Sequence, residues 1–327
     1  MDCKRIYILY SERSGSNLLR LLLGNHPELS APVSPQLFDS FIPFADRFGD
    51  LRNKKNSIRL LSLMKKYANH PFSDWQLDTS AEEMYSQSAP KSFVEAVDTL
   101  YSTKALQDGK SGYVCKERHL FNYSGLITTS LSAINWVYLY RDPRDVVSSW
   151  LKNKMLFFTP YGAAHAWKED QQKCRSLHLS HHLPYHRLSY EELITLTKQT
   201  MTNLLQYLNL DIDERCFQNQ QKREEADRNV LWKNLDKPID SSNTQKYRDR
   251  LSQKQVAIVE SICQSQMQHL GYPLETNGQW TPAIGDKNYQ YFNKVKELVK
   301  QKTLANNKTS ELLRDRKKLK QQLISRL

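Results

Sequence analysis

One short segment constrains this chain more than any other. An apolar run, Arg5 to Tyr10, passes through the polar loop Ser11-Glu12-Arg13-Ser14-Gly15-Ser16-Asn17 into the leucine-rich stretch Ser16 to Leu23. The run is short, apolar and rich in β-branched and aromatic residues, which suits a buried strand. The stretch SNLLRLLL reads as a helix ended by Gly24 and Asn25, with Pro27 just beyond. A strand entering a helix this way leaves unsatisfied amides at the helix N-terminus, where the macrodipole adds partial positive charge. Gly15 permits close backbone approach, Ser14 and Ser16 offer hydroxyls, and Arg13 offers a planar cation. That is the chemistry of an anion-binding loop, although a turn before a well-capped helix would read alike in isolation. Ser16, not Lys, follows Gly15, so the GxxxxGK[ST] loop of ATPases and GTPases does not match.

A second segment repeats the arrangement. Asn135 to Tyr140 is a buried strand, and Arg141-Asp142-Pro143-Arg144-Asp145-Val146-Val147-Ser148-Ser149 leads into a helix over Asp142 to Lys152. Asp142 suits the N-cap, Pro143 the first helical position, and Asp145 the positive helix end. Arg141 falls where the strand leaves the sheet, the edge at which open α/β sheets bind ligands. Ser149 lies about two helical turns further on, so the two could hold one phosphate from two directions. Alternatively, the segment is a plain helix start with Arg144 and Asp145 as surface charges.

Further elements follow the same logic. Tyr113 to Lys116 and Pro184 to Leu188 read as strands. Ile58 to Tyr67, Ser92 to Leu106, Tyr190 to Leu208 and Ser252 to Leu270 read as helices, the last closed by Gly271. Strands alternating with helices predict a three-layer α/β fold, a central parallel sheet flanked by helices. Residues 36 to 112, rich in aromatics (Phe38, Phe41, Phe44, Phe48, Tyr67, Phe72, Trp75), are either a helical layer over the sheet or a cap over a substrate site. No internal repeat is found.

Charge divides the 327 residues unevenly. The net charge is +12, but residues 286 to 327 contain 12 Lys+Arg and 4 Asp+Glu, hence +8, leaving only +4 on residues 1 to 285. The body suits a small polyanion rather than nucleic acid. The tail has no Pro or Gly and carries Phe292, Val295, Val299, Leu312, Leu313, Leu319, Leu323 and Leu327. It predicts a basic helical extension that docks, forms a short coiled coil or homo-oligomer, or touches a membrane surface. Five scattered cysteines (Cys3, Cys115, Cys174, Cys216, Cys263) and the His181-His182 pair show no metal-ligand spacing, so no metal is expected. Reduced thiols suit a cytoplasmic setting, and no stretch approaches the ~18 apolar residues of an anchor.

Taken together, the two phosphate segments resemble the PAPS-dependent sulfotransferase family, where PAPS is 3′-phosphoadenosine-5′-phosphosulfate. They are similar to its RSG-type 5′-phosphosulfate loop and its RDPRD-type 3′-phosphate motif. Asn25-His26-Pro27, Leu188-Ser189-Tyr190-Glu191-Glu192-Leu193, Ser242 to Arg250 and Leu270-Gly271-Tyr272 add to the resemblance, which covers roughly residues 4 to 273. It implies a P-loop-like sulfotransferase domain over 1–285, with 36–112 as a helical acceptor-side insertion and 286–327 as a tail. It also implies sulfuryl transfer from PAPS to a hydroxyl, with 3′-phosphoadenosine-5′-phosphate as product and a carbohydrate, lipid or small molecule as acceptor.

By the same resemblance Arg13, Ser14, Gly15, Ser16 and Asn17 would hold the 5′-phosphosulfate, and Arg141 and Ser149 the 3′-phosphate. Lys246, Tyr247 and Arg248 would close over the donor, while Trp232 would stack on adenine or pack in the core. Lys116 would stand at the reacting group, or be an ordinary surface lysine. Tyr190 and Glu191 read as braces of the sheet end. Three departures stand out. Glu12 replaces the family's Pro, an acid beside a phosphosulfate unless it points away; Asn17 replaces Thr; and no carboxylate follows His26-Pro27 until Asp39. The acceptor base is therefore open among His119, Glu117 and Asp39, with His119 favoured because an imidazole accepts protons near neutrality. Two other functions remain: a P-loop-like nucleotide kinase, lacking its loop lysine, and a non-catalytic scaffold working through its basic tail.

Overall fold

In the computed structural model, residues 3–152, 159–181, 184–219, 235, 237–276 and 308–325 are described. Trp232, His182, Phe292, Val295, Val299 and Leu327 lie outside the described residues. Five parallel strands form one sheet: β1 (Lys4–Tyr10), β2 (Leu29–Ser30), β3 (Gly112–Cys115), β4 (Ile134–Tyr140) and β5 (Tyr185–Ser189). Their order is β2-β3-β1-β4-β5, so β1 lies at the centre, pairing Ile6 with Val114 on one side and Asn135 on the other. Parallel strands need crossovers, and here these are helices on both faces.

Strand alternation divides the core in two. Ile6, Ile8, Tyr10, Val114, Val137 and Leu139 face α1 (Ser16–Gly24), α9 (Tyr190–Thr195) and α10 (Thr197–Tyr207). Tyr7, Leu9, Tyr113, Trp136 and Tyr138 face the opposite layer. That layer contains α2 (Leu37–Phe41), α3 (Lys54–Ala68), α4 (Ala81–Ser88), α5 (Phe93–Gln107), α6 (Ser124–Ser130), α7 (Pro143–Lys152), α8 (Pro160–His181) and α11 (Gln253–Leu270). The result is three layers, as expected.

Residues 36 to 112 contribute much of the larger core. Phe38, Phe41, Phe48, Tyr67, Phe72 and Trp75 are all buried, and Trp75 meets Tyr101 edge-on at 4.7 Å. The expectation of one helix over Tyr190 to Leu208 is corrected: Leu196 leaves helical geometry and separates α9 from α10. Nearby threonines compete for backbone carbonyls, Thr197 bonding Leu193 O at 2.7 Å and Thr200 bonding Glu192 O at 3.1 Å. Helix α8 carries no strong apolar stripe in sequence, because its buried face is Ala163, Ala164, Trp167, Gln171 and Cys174. The C-terminal helix, Lys308–Ile324, is docked against the body, with Leu323 buried in the larger core. Among the described residues no helix is long and apolar enough to cross a membrane.

Candidate active site

The carboxyl ends of β1, β3 and β4 gather the sequence motifs at one edge. After β1 the chain turns tightly, Ser14 N donating to Ser11 O at 3.2 Å. Arg13 and Gly15 both take positive φ, 71° and 87°. For Gly15 that geometry is obligatory on a second count, since a Cβ there would stand 2.2 Å from the Tyr190 ring. Gly15 is the N-cap of α1, so no side chain caps the first amides, and no acid lies in the first turn. The buried Ser14 hydroxyl also has no partner. An anion at this helix start would satisfy these donors.

Arg141 comes to the same place from the end of β4. Its Nη1 donates to Arg13 O at 3.2 Å, its Nη2 to Asn243 O at 3.0 Å, and its guanidinium lies 4.1 Å over the Tyr190 ring. Its buried Nε is unpartnered, as is the neighbouring Ser148 hydroxyl. Arg13 Nε donates to Ser149 Oγ at 3.1 Å, so the four residues Arg13, Arg141, Ser148 and Ser149 surround one region. Burial pushes the Arg13 pKa down, and the adjacent Arg141 charge pushes it further. Two crowded guanidiniums with buried unsatisfied donors fit a multiply charged anion.

The remaining charges of the second segment are structural, which overturns their reading as surface residues. Arg144 and Asp145 are both buried. Arg144 pairs with Asp142 at 2.7 Å and with Glu260 of α11 at 2.7 Å. Asp142 also accepts from Arg144 N at 2.8 Å, as an N-cap should. Asp145 accepts from Gln245 N at 2.8 Å and Tyr247 N at 2.9 Å, fastening the late loop beside Arg141. Asn243 Nδ2 in turn donates to Tyr190 Oη at 2.6 Å. The loop thus reaches the site through its backbone. The side chains of Tyr247 and Arg248 instead turn to Glu275, at 2.7 and 2.6 Å, and Lys246 lies 3.5 Å from Asp240. Glu191 is a brace, accepting from Asp142 N and Tyr272 Oη.

The end of β3 supplies the third part. Lys116 Nζ donates to Asn17 Oδ1 at 2.7 Å, tying it to the first helix turn. Ser16 is also buried there. Asp39 of α2 is the hub of a hydrogen-bonded cluster beside that strand end. It takes His119 Nδ1 at 3.0 Å, Arg118 Nε at 3.1 Å and Tyr123 Oη at 3.1 Å. Arg118 also reaches Glu12 at 3.2 Å, which settles where that acid points. Burial would raise the Glu12 pKa, but Arg118 and His119 hold it below the usual carboxylate range. Asp39 is likewise held low, burial being outweighed by His119 and Arg118.

A carboxylate only accepts, so Nδ1 of His119 is the donor, and Nε2 lies on a side chain 37% exposed. His119 also has φ 55°, a strained conformation for a non-glycine residue. Glu117, by contrast, is fully buried and bonded to Ser34, Tyr101 and Phe38 N. Burial pushes its pKa up to about 7.

Sequence reasoning missed α8 and hence Asp170, which feels the charges of His119 and Glu12. Burial raises its pKa to about 7. Gln171, next to it, donates to Ser11 Oγ at 2.6 Å. No signal in the sequence ties α8 to the first loop. Among the described residues no group of His, Cys, Asp and Glu is arranged to hold a metal ion.

Comparison with known proteins points to one family and fold. A family model described as "Sulfotransferase family" matches residues 5–214. Two solved structures share the fold. The sulfotransferase domain from the curacin biosynthetic pathway has a TM-score of 0.59 at 21% identity, covering 83% of this chain and 99% of that one. The sulfotransferase domain of the Synechococcus PCC 7002 olefin synthase has a TM-score of 0.54 at 21% identity, covering 80% and 97%. No curated protein sequence is significantly similar.

Proposed function

The chain belongs to the sulfotransferase family, and from that membership we propose that it transfers a sulfuryl group from PAPS to an acceptor hydroxyl, with His119 as the acceptor's base. The observation that carries the donor half is the convergence of Arg13, Arg141 and the uncapped start of α1, together with the unpartnered buried Ser14 Oγ, Arg141 Nε and Ser148 Oγ. Two guanidiniums, helix amides and hydroxyls free to donate suit a nucleotide with phosphates at both ends. On this reading the amides of Ser14 to Asn17 and Arg13 hold the phosphosulfate. Arg141 and Ser149 hold the 3′-phosphate, with the backbone of 243–247 closing over it. The side chains of Lys246, Tyr247 and Arg248 keep that loop in shape.

In the transfer, the acceptor oxygen bonds to sulfur as the bond from sulfur to the bridging phosphate oxygen breaks, and the acceptor proton passes to His119 Nε2. Asp39 steadies the imidazolium that forms. The leaving phosphate gains negative charge, which Arg13, Lys116 and the helix amides are placed to stabilise. Glu117, with its three internal donors, serves as an internal brace.

The test is binding. Adenosine 3′,5′-bisphosphate should raise the melting temperature by mass action, and ATP with magnesium should not. Arg141→Ala should abolish the response while leaving a folded protein. A protein indifferent to the bisphosphate, or stabilised only by ATP with magnesium, would overturn the sulfotransfer reading in favour of another nucleotide enzyme.

A further inference from the structure

The acceptor side of the site is completed by a helix from the far end of the chain. Arg316 is 2% exposed and inserts between Tyr67 and Phe72, its guanidinium 4.5 and 4.2 Å from their ring centres. It also donates to Pro35 O. Leu323, two turns on, is buried in the larger core. These contacts set the rotation of the C-terminal helix, and therefore what its adjoining stripe faces. Lys317, Lys320 and Ile324 follow one another at i, i+3 and i+7, one face of a helix. They line a groove of about 430 Å³ with Phe44 and Arg47, from the turn that follows α2.

Three features give this groove a chemical preference. Three cations converge on it and no acidic residue lines it. Its floor is apolar: Phe44 lies 5.3 Å from the Arg47 guanidinium and 5.7 Å from the Lys320 ammonium, and Ile324 adds aliphatic surface. It also lies within electrostatic reach of the carboxylate that holds His119. Phe44 lies five residues beyond Asp39 in the chain, and Lys320 feels the charges of both Asp39 and Arg118. A neutral sugar would leave the cations unanswered, whereas a nucleic acid would need a longer basic track than one helical face provides.

We propose that this groove binds the carboxylate end of an amphipathic hydroxy acid, a soluble aliphatic acceptor whose hydroxyl reaches His119. The assignment of the hydroxyl as acceptor rests on the sulfotransfer reading; the anion-binding groove does not. Lys320, Lys317 and Arg47 take the carboxylate, while Phe44 and Ile324 cover the adjoining chain.

The experiment compares a long-chain ω-hydroxy acid, its methyl ester and the matching diol, on the full chain. Binding is read by calorimetry with adenosine 3′,5′-bisphosphate present, and turnover with PAPS. The acid should bind at least about tenfold more tightly than the ester, a preference that shrinks as salt rises. The double variant Lys317→Gln/Lys320→Gln should bring the acid to the ester's level. Equal binding of acid and ester, or a preference that survives the double variant, overturns the proposal. So does a groove that ignores the acid but binds phosphatidylglycerol vesicles through the same lysines. Failure of the bisphosphate to bind would sink the sulfotransfer reading alone, since binding of the acid is read separately.

Discussion

Glu12 shows how much one residue's meaning depends on its partner. Beside a phosphosulfate loop an acid is repulsive, yet Arg118 draws it away and joins it to Asp39, and the guanidinium balances one of the two negative charges. Glu117, one residue before Arg118, is handled differently. Its pKa is raised from 4.5 to about 7 because burial outweighs the help of Tyr101 and Ser34. A carboxyl with a raised folded pKa is protonated in the folded chain but ionised in the unfolded one between those values. The unfolded state then binds fewer protons, and stability falls as pH rises through that window, by at most on the order of 3 kcal/mol. Glu117→Gln cannot ionise. Relative to the parent protein, this variant should therefore gain stability between pH 5 and pH 8. Parallel melting curves for the two proteins at both pH values would show that Glu117 does not titrate there.

Elements are held in place here by backbone contacts at the sheet edge more than by helix propensity. The first loop depends on Gly15 at φ 87° under the Tyr190 ring, and Tyr190 in turn supports Arg141. Gly15→Ala should therefore destabilise the protein by about 1–3 kcal/mol through the strained φ and the displaced ring. It should also weaken bisphosphate binding, because Arg141 loses its support. Denaturant titration and calorimetry read the two effects; a variant that binds normally would separate Gly15 from the site. The loop over 243–247 is fixed from the other side by Asp145, a residue of the second motif. One motif thus contributes both Arg141, which lies over the Tyr190 ring, and the clamp that holds the loop beside it.

Across the whole molecule, the C-terminal helix is tied to the body by one buried cation. Arg316 has no carboxylate partner among the described residues, and burial pushes its pKa down. Such a charge is retained by the Tyr67 and Phe72 faces and a carbonyl, an arrangement that a shape-matched apolar side chain could replace. Arg316→Ala should cost about 2–4 kcal/mol by leaving a cavity, whereas Arg316→Met should lie within about 1 kcal/mol of the parent. Equal losses in urea titration would mean that the charge, rather than the volume, holds the helix. Over 308–325 the tail is a helix packed against its own body, and the residues before it lie outside the described part.

The sequence by itself determined the α/β class, the central strands and the loops that follow β1 and β4, because these are written locally. A buried strand needs an apolar run, a helix start needs its cap, and a phosphate loop needs its glycine and donors next to each other in the chain. Arg13, Gly15 and Arg141 were legible for that reason. Only the tertiary structure decided the acceptor side. Asp39, Arg118, His119 and Glu12 meet across 106 residues or fewer of intervening chain, through weak local patterns that name no partner. Helix α8 hid its role behind a buried face of Ala and Gln, and Arg316 read as one more basic residue in a basic tail. Pairings of that kind arise from which faces the sheet brings together, and no periodicity records them.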